Sequence, residues 1–175
     1  VLVTSAVESF DDRVLDLVDK GHTAVDVATA ADSVRASGIA LNPTFVAFTP
    51  WTTLESYATF LRSIADLDLV EAVSPIQYGI RLLVTAGSTL LDLDDIAVVT
   101  GDFDEVGLVY PWEHPDPDVD DLQGRVMAAV EADGAMSRRT AFEKVWEMAG
   151  AGDLPSLGEP RPDVTVPYLT EPWYC

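Results

Sequence analysis

Apolar positions in the first half of the chain alternate between short β-branched runs and stretches of helical period. Val1-Leu2-Val3-Thr4-Ser5-Ala6-Val7 reads as a strand ending at Glu8-Ser9. A helix follows with Asp11 as its N-cap and Val14, Leu15, Leu17 and Val18 as its apolar stripe, closed by Lys20 and a C′ glycine, Gly21. A second helical stretch covers Ala24 to Ser37 and stops at Gly38, before a strand over Ile39 to Phe48 that contains Pro43. Thr52 and Glu55 are spaced as a capping box, and Leu54, Tyr57, Phe60, Leu61 and Ile64 then recur at helical period. After Leu69 the pattern predicts a strand over Val70 to Ile80, interrupted at Ser74-Pro75.

Strand, helix, strand, helix, strand, with mostly apolar strands, is the order of parallel βαβ units. Three such strands cannot close a barrel. The expected fold class is therefore α/β, with residues 1–100 as the later part of a larger sheet or barrel. The chain opens at Val1 inside a strand, without an initiator Met, and is read as a fragment lacking its N-terminal part.

Beyond Gly87 the pattern changes. One more apolar run, Ile96 to Val99, precedes an acidic, aromatic and Pro-containing loop. Two helices are then predicted, over Val119 to Ala132 and over Arg138 to Ala149. Residues 101–151 thus form a loop and two-helix extension. Residues 152–175 form an irregular tail containing Pro155, Pro160, Pro162, Pro167 and Pro172.

Charge narrows the function classes. Thirty acidic residues against ten basic give a net charge of −20. Phosphate backbones and anionic membrane surfaces need clustered Lys and Arg, and only Arg138 and Arg139 are adjacent here, so neither nucleic acid nor membrane is an expected partner. A hydrophobic content of 48% separates the chain from charged disordered segments. No run approaches the roughly 20 apolar residues of a membrane span, and the expected setting is cytoplasmic.

Candidate chemistry is sparse. The Asp116, Asp118, Asp120 alternation fails as a calcium loop, because Asp121 stands where Gly is needed and Met127 where a bidentate Glu is needed. Carboxylates at a helix N-terminus account for the cluster. His22 and His114 lack identifiable metal partners, and Cys175, the only cysteine, is the last residue. Functional residues of βαβ proteins lie just past the carboxyl ends of strands. Those positions read Glu8-Ser9, Thr49-Pro50-Trp51 and Gln77 to Arg81. A carboxylate with a hydroxyl suits a ribose or amine, while Gln77 and Arg81 suit a carboxylate. Each also has an ordinary reading as a helix cap or ion pair.

Two segments, Ile39-Ala40-Leu41-Asn42-Pro43-Thr44-Phe45-Val46-Ala47-Phe48-Thr49-Pro50-Trp51-Thr52-Thr53 and Pro75-Ile76-Gln77-Tyr78-Gly79-Ile80-Arg81-Leu82-Leu83-Val84, resemble later barrel strands of radical SAM proteins. The ending Thr170-Glu171-Pro172-Trp173-Tyr174-Cys175 resembles that of the CUAEP/CCAEP-tail subgroup, whose chains finish with Cys, then selenocysteine or a second Cys, then Ala-Glu-Pro. The resemblance covers nearly the whole chain, and the tail is its most specific part. It implies a partial (β/α) TIM-like barrel. It also implies a [4Fe–4S] cluster and S-adenosylmethionine, cleaved reductively to a 5′-deoxyadenosyl radical acting on an unknown substrate. On that resemblance Glu8 and Ser9 approach the ribose and methionyl group. Thr49, Trp51, Gln77 and Arg81 approach adenine, carboxylate or substrate, and Cys175 serves as a redox or metal-binding tail.

Two departures stand out. The CxxxCxxC motif is absent, so this chain alone is expected to bind no cluster and to be inactive. The final Ala-Glu-Pro is also absent, an ending that a UGA read as selenocysteine would produce. The rival expectation is an acidic α/β interaction module without catalysis, with Trp112, Trp173 and Tyr174 as interface anchors.

Overall fold

In a computed structural model that describes residues 1–132, 136–158 and 166, two strands run parallel: β1 (Leu2–Glu8) and β2 (Ala40–Phe45). Leu2 lies opposite Ala40 and Ala6 opposite Thr44, and a register shift falls between Ala6 and Glu8. Parallel neighbours need a crossover. Here it consists of α1 (Asp12–Leu17) and α2 (Ala24–Ala36), and α3 (Leu54–Asp66) leaves β2 in the same sense. The architecture is α/β, as expected from the alternation of periods.

Local chemistry explains most boundaries. Asp11 caps α1, its carboxylate accepting from the Arg13 and Val14 amides at 2.9 and 3.4 Å. The helix ends before Lys20-Gly21. Asp19 takes the left-handed conformation (φ 53°) and the Lys20 amide donates back to Leu15 O at 3.0 Å, so an aspartate occupies the place expected for glycine. In α2, Thr23 and Asp26 cap each other's backbone, and Gly38 (φ 66°) closes the helix. The box that starts α3 is Thr53 with Ser56, one residue later than the Thr52/Glu55 spacing suggests. Thr52 is already engaged, accepting from the Thr49 amide at 2.9 Å and donating to Ala47 O at 3.3 Å.

The expected third strand is the main correction. Val70 to Ile80 forms turns and a short 3₁₀ segment, Pro75–Tyr78, with Pro75 at its first position. Only one parallel bridge remains, Phe48 with Arg81: the Phe48 amide donates to Ile80 O at 3.0 Å and the Leu82 amide to Phe48 O at 2.8 Å. The apolar run Ile96 to Val99 belongs to α4 (Asp94–Val99). The two predicted later helices are present as α5 (Pro117–Glu131), capped by Asp116, and α6 (Arg138–Met148), capped by Ser137.

One apolar cluster joins these elements. Tyr57, Phe60, Leu61 and Ile64 of α3 meet Phe45 and Tyr78, and Val119, Leu122 and Val126 of α5 with Phe142, Val145 and Trp146 of α6 complete it. Each fully buried large side chain contributes roughly 1.5–3 kcal/mol. Phe45 and Phe60 meet edge to face at 5.1 Å, with Phe10 5.1 Å from Phe45. Gly79 lies against α5, where an added Cβ would sit 2.3 Å from Met127 Sδ. Leu82, Val84, Ile96 and Trp112 form a second, smaller cluster. Among the described residues no helix is long and apolar enough to cross a membrane.

Three of the arginines share a use. Arg62 donates to Ala151 O, Arg139 to Gly158 O and Arg138 to Val166 O, so guanidinium groups hold carbonyls of the chain that leaves α6. Charge-assisted bonds of this kind replace the backbone ladder that an irregular segment lacks.

Candidate functional site

The carboxyl ends of β1 and β2 open into a cleft of about 480 Å³. Its position follows from the topology, because both strands turn there into helices whose first turns form the walls. Glu8, Asp11, Asp12 and Glu55 supply carboxylates, Ser9, Thr49, Thr53 and Ser56 hydroxyls, and Phe10, Tyr57 and Phe60 aromatic surface. The volume lies within the usual range for a small-molecule site.

Glu8 is held in an uncommon conformation. Its φ is 69°, its carbonyl accepts from the Val46 amide at 2.9 Å, and its carboxylate pairs with Lys20 Nζ at 2.7 Å. A left-handed glutamate costs about 1–2 kcal/mol, and the register shift next to it is what imposes the turn. Ser9 Oγ accepts from the Asp11 amide at 3.0 Å. Thr49 is buried, its hydroxyl 3.1 Å from that of Thr52 and accepting from the Trp51 amide at 3.3 Å. Thr49 therefore shapes the floor, while Ser9 and the carboxylates form the mouth.

Of the residues singled out from the sequence, Glu8, Ser9 and Thr49 line this cleft; Trp51, Gln77 and Arg81 do not. Trp51 Nε1 donates to Asp95 at 3.0 Å, and its ring packs on the smaller cluster. Gln77 Oε1 accepts from the Phe45 amide at 2.7 Å, standing in for a neighbouring strand. Arg81 donates to Asp120 at 2.5 Å and to Trp112 O at 2.6 Å, and its guanidinium lies 3.6 Å from the centre of the Trp112 ring. Cys175 lies outside the described residues, as do Trp173 and Tyr174.

Of the acidic and aromatic lining, the sequence singles out Glu8 but not the other acidic and aromatic residues. Asp11 and Glu55 read there as helix-start residues and Tyr57 and Phe60 as the apolar stripe of a helix, while Phe10 and Asp12 carry no reading of their own. Their signal is position: Phe10, Asp11 and Asp12 lie two to four residues past the end of β1, and Glu55, Tyr57 and Phe60 ten to fifteen residues past the end of β2.

The electrostatics favour a positively charged ligand: four acidic residues line the cleft, the Asp11 and Asp12 carboxylates accept from backbone amides, and among the described residues only Glu8 of the four is paired with a cation. Tyr57 supplies no proton here: its hydroxyl donates to Tyr78 O at 2.8 Å, and burial, then the neighbouring Tyr78, pushes its pKa well above the ordinary value. Neither histidine lines the cleft. His22 Nε2 lies 3.3 Å from Val7 O, which only accepts, so that nitrogen carries the proton. Among the described residues no group of three or more His, Cys, Asp or Glu is placed to hold a metal ion. One cysteine in the whole chain does not fit a cluster that needs three thiolates. Comparison with protein-family models, with curated proteins and with solved structures gives no match.

Proposed function

We propose that this chain is the later part of the (β/α) barrel of a radical SAM enzyme, with the cleft at the ends of β1 and β2 facing S-adenosylmethionine or the substrate. The observation that carries the reading is the parallel track β1, β2 and Phe48/Arg81, with an acidic, aromatic cleft at its carboxyl end. Exposure of β1 supports it as well. Leu2, Val3, Thr4 and Ala6 are exposed, although strands of a parallel sheet are ordinarily covered on both faces. A cation with an aromatic base suits the carboxylates and rings of the cleft.

Bound S-adenosylmethionine would supply the radical chemistry by reductive cleavage. This chain's own residues would bind and orient: Glu8, held by Lys20 and the Val46 amide, presents a fixed carboxylate, Ser9 a hydroxyl, and Phe10 and Phe60 an apolar wall. The cluster ligands are not among these residues, and the enzyme reading places them elsewhere in a longer protein.

The coding DNA on either side of the Val1 and Cys175 codons tests the proposal. The expected result is an in-frame CxxxCxxC upstream and a UGA followed by codons for Ala-Glu-Pro. The complete protein, reconstituted anaerobically, should then form 5′-deoxyadenosine from S-adenosylmethionine under a reductant. A start codon just before Val1 with no cluster motif refutes the enzyme and leaves the acidic interaction module. In the complete protein, Cys175→Ser should lower turnover or metal content; no change in either would assign the tail to packing alone.

A further inference from the structure

We propose that the loop over residues 103–110 is a docking element for a protein partner whose surface combines an apolar pocket with a basic rim. Val106 is 95% exposed and Leu108 65% exposed, an arrangement that gains nothing for this chain's own stability. The loop is nevertheless built to hold that shape. Asp104 N–H donates to Val109 O at 2.8 Å, the Val106 amide donates to Asp104 Oδ1 at 2.9 Å, and Phe103 packs on Tyr110 at 5.0 Å beneath the tip. The Thr85/Val109 bridge and the Tyr110 amide donating to Val84 O at 2.7 Å fasten its base to the smaller cluster.

Leu108 itself stands at φ 56°, a left-handed conformation that a leucine adopts only at a cost and that Gly would adopt freely. The Asp104/Val109 pairing holds Leu108 in that conformation with its side chain exposed. A loop fixed in advance also loses little conformational freedom on association.

Charge selects the partner. Asp102, Asp104 and Glu105 are exposed beside the two apolar side chains, and no Lys or Arg occurs between Asp102 and Glu113. Lys and Arg around an apolar pocket complement this loop. An anionic lipid surface would be repelled by it, and a second copy of a chain carrying −20 would be repelled as well. The proposal is independent of whether the cleft is catalytic.

The test places a photo-crosslinking benzoylphenylalanine at Val106 in the complete protein in its source cells, with exposed Thr29 on α2 as the control position. Adducts are identified by mass spectrometry, and the partner found is then titrated with purified protein. The expected result is one dominant adduct from position 106, on a peptide containing Lys or Arg beside apolar residues. Val106→Ser and Leu108→Gly should each weaken binding at least tenfold, and affinity should fall as salt rises. Leu108→Gly should at the same time leave the melting temperature unchanged or higher, which separates lost contact from lost folding. The proposal is overturned if adducts match those from position 29, if they fall on lipid or on this chain itself, or if Leu108→Gly binds as the wild type does.

Discussion

Gln77→Ala removes the side chain that meets the Phe45 amide. That amide faces away from β1, toward the place a third strand would occupy, and Gln77 Oε1 accepts from it at 2.7 Å. An unpaired buried amide costs about 1–3 kcal/mol, and loss of the glutamine methylenes, half buried, adds about 1 kcal/mol. With a urea slope of about 2 kcal/mol per M, the midpoint should fall by ~1–2 M. Gln77→Glu keeps an acceptor at the same reach, so it should lose less than half as much at neutral pH. Urea unfolding followed by tryptophan fluorescence reads the midpoints, and amide hydrogen exchange at Phe45 reads the local event, faster in Gln77→Ala than in Gln77→Glu. An unchanged midpoint in Gln77→Ala, or equal losses in the two variants, would refute the strand-surrogate role. A contribution to ligand binding would instead appear in affinity with stability intact.

Gly79→Ala should cost about 1–3 kcal/mol in chemical denaturation, because its Cβ would meet Met127 Sδ at 2.3 Å and Cγ at 2.8 Å. Combining it with Met127→Ala should recover part of that loss, and strictly additive losses would show that the two sites do not touch. Tyr57 and Tyr78 are buried with pKa values raised chiefly by burial, so stability is complete below the ordinary tyrosine range and declines as pH rises above it. Absorbance at 295 nm should show neither ionising before the fold is lost at alkaline pH; early ionisation of all five tyrosines would contradict this. Asp26 has its pKa lowered first by the Thr23 amide and then by the Thr23 hydroxyl, so its capping contribution is present at neutral pH and disappears as pH falls through the folded value. Carboxyl resonances titrated by NMR should place Asp26 below the exposed aspartates, and Thr23→Val should move it back toward them.

Caps and faces were legible because they depend on neighbours in sequence. Asp11, Ser137 and Gly38 stand where the sequence places helix boundaries, and Tyr57, Phe60, Leu61 and Ile64 are buried as their period requires. The misplaced cap at Thr52 shows the limit. Thr52 and Thr53 are equivalent by spacing, and the Thr49 amide and Ala47 carbonyl decide between them.

The sequence alone determined the α/β alternation, the acidic charge and the end of the first strand at Glu8, since these follow from residue types within a few positions of one another. Tertiary structure decided that Val70 to Ile80 forms no strand and what the residues expected at its end do. Arg81 turns toward Trp112 and Asp120, and Gln77 toward Phe45, partners 31, 39 and 32 residues away that no local pattern identifies. The cleft likewise draws Asp11, Asp12 and Glu55 from two helix starts to one mouth. Charges so placed act together only because parallel strands bring both carboxyl ends to the same side of the sheet.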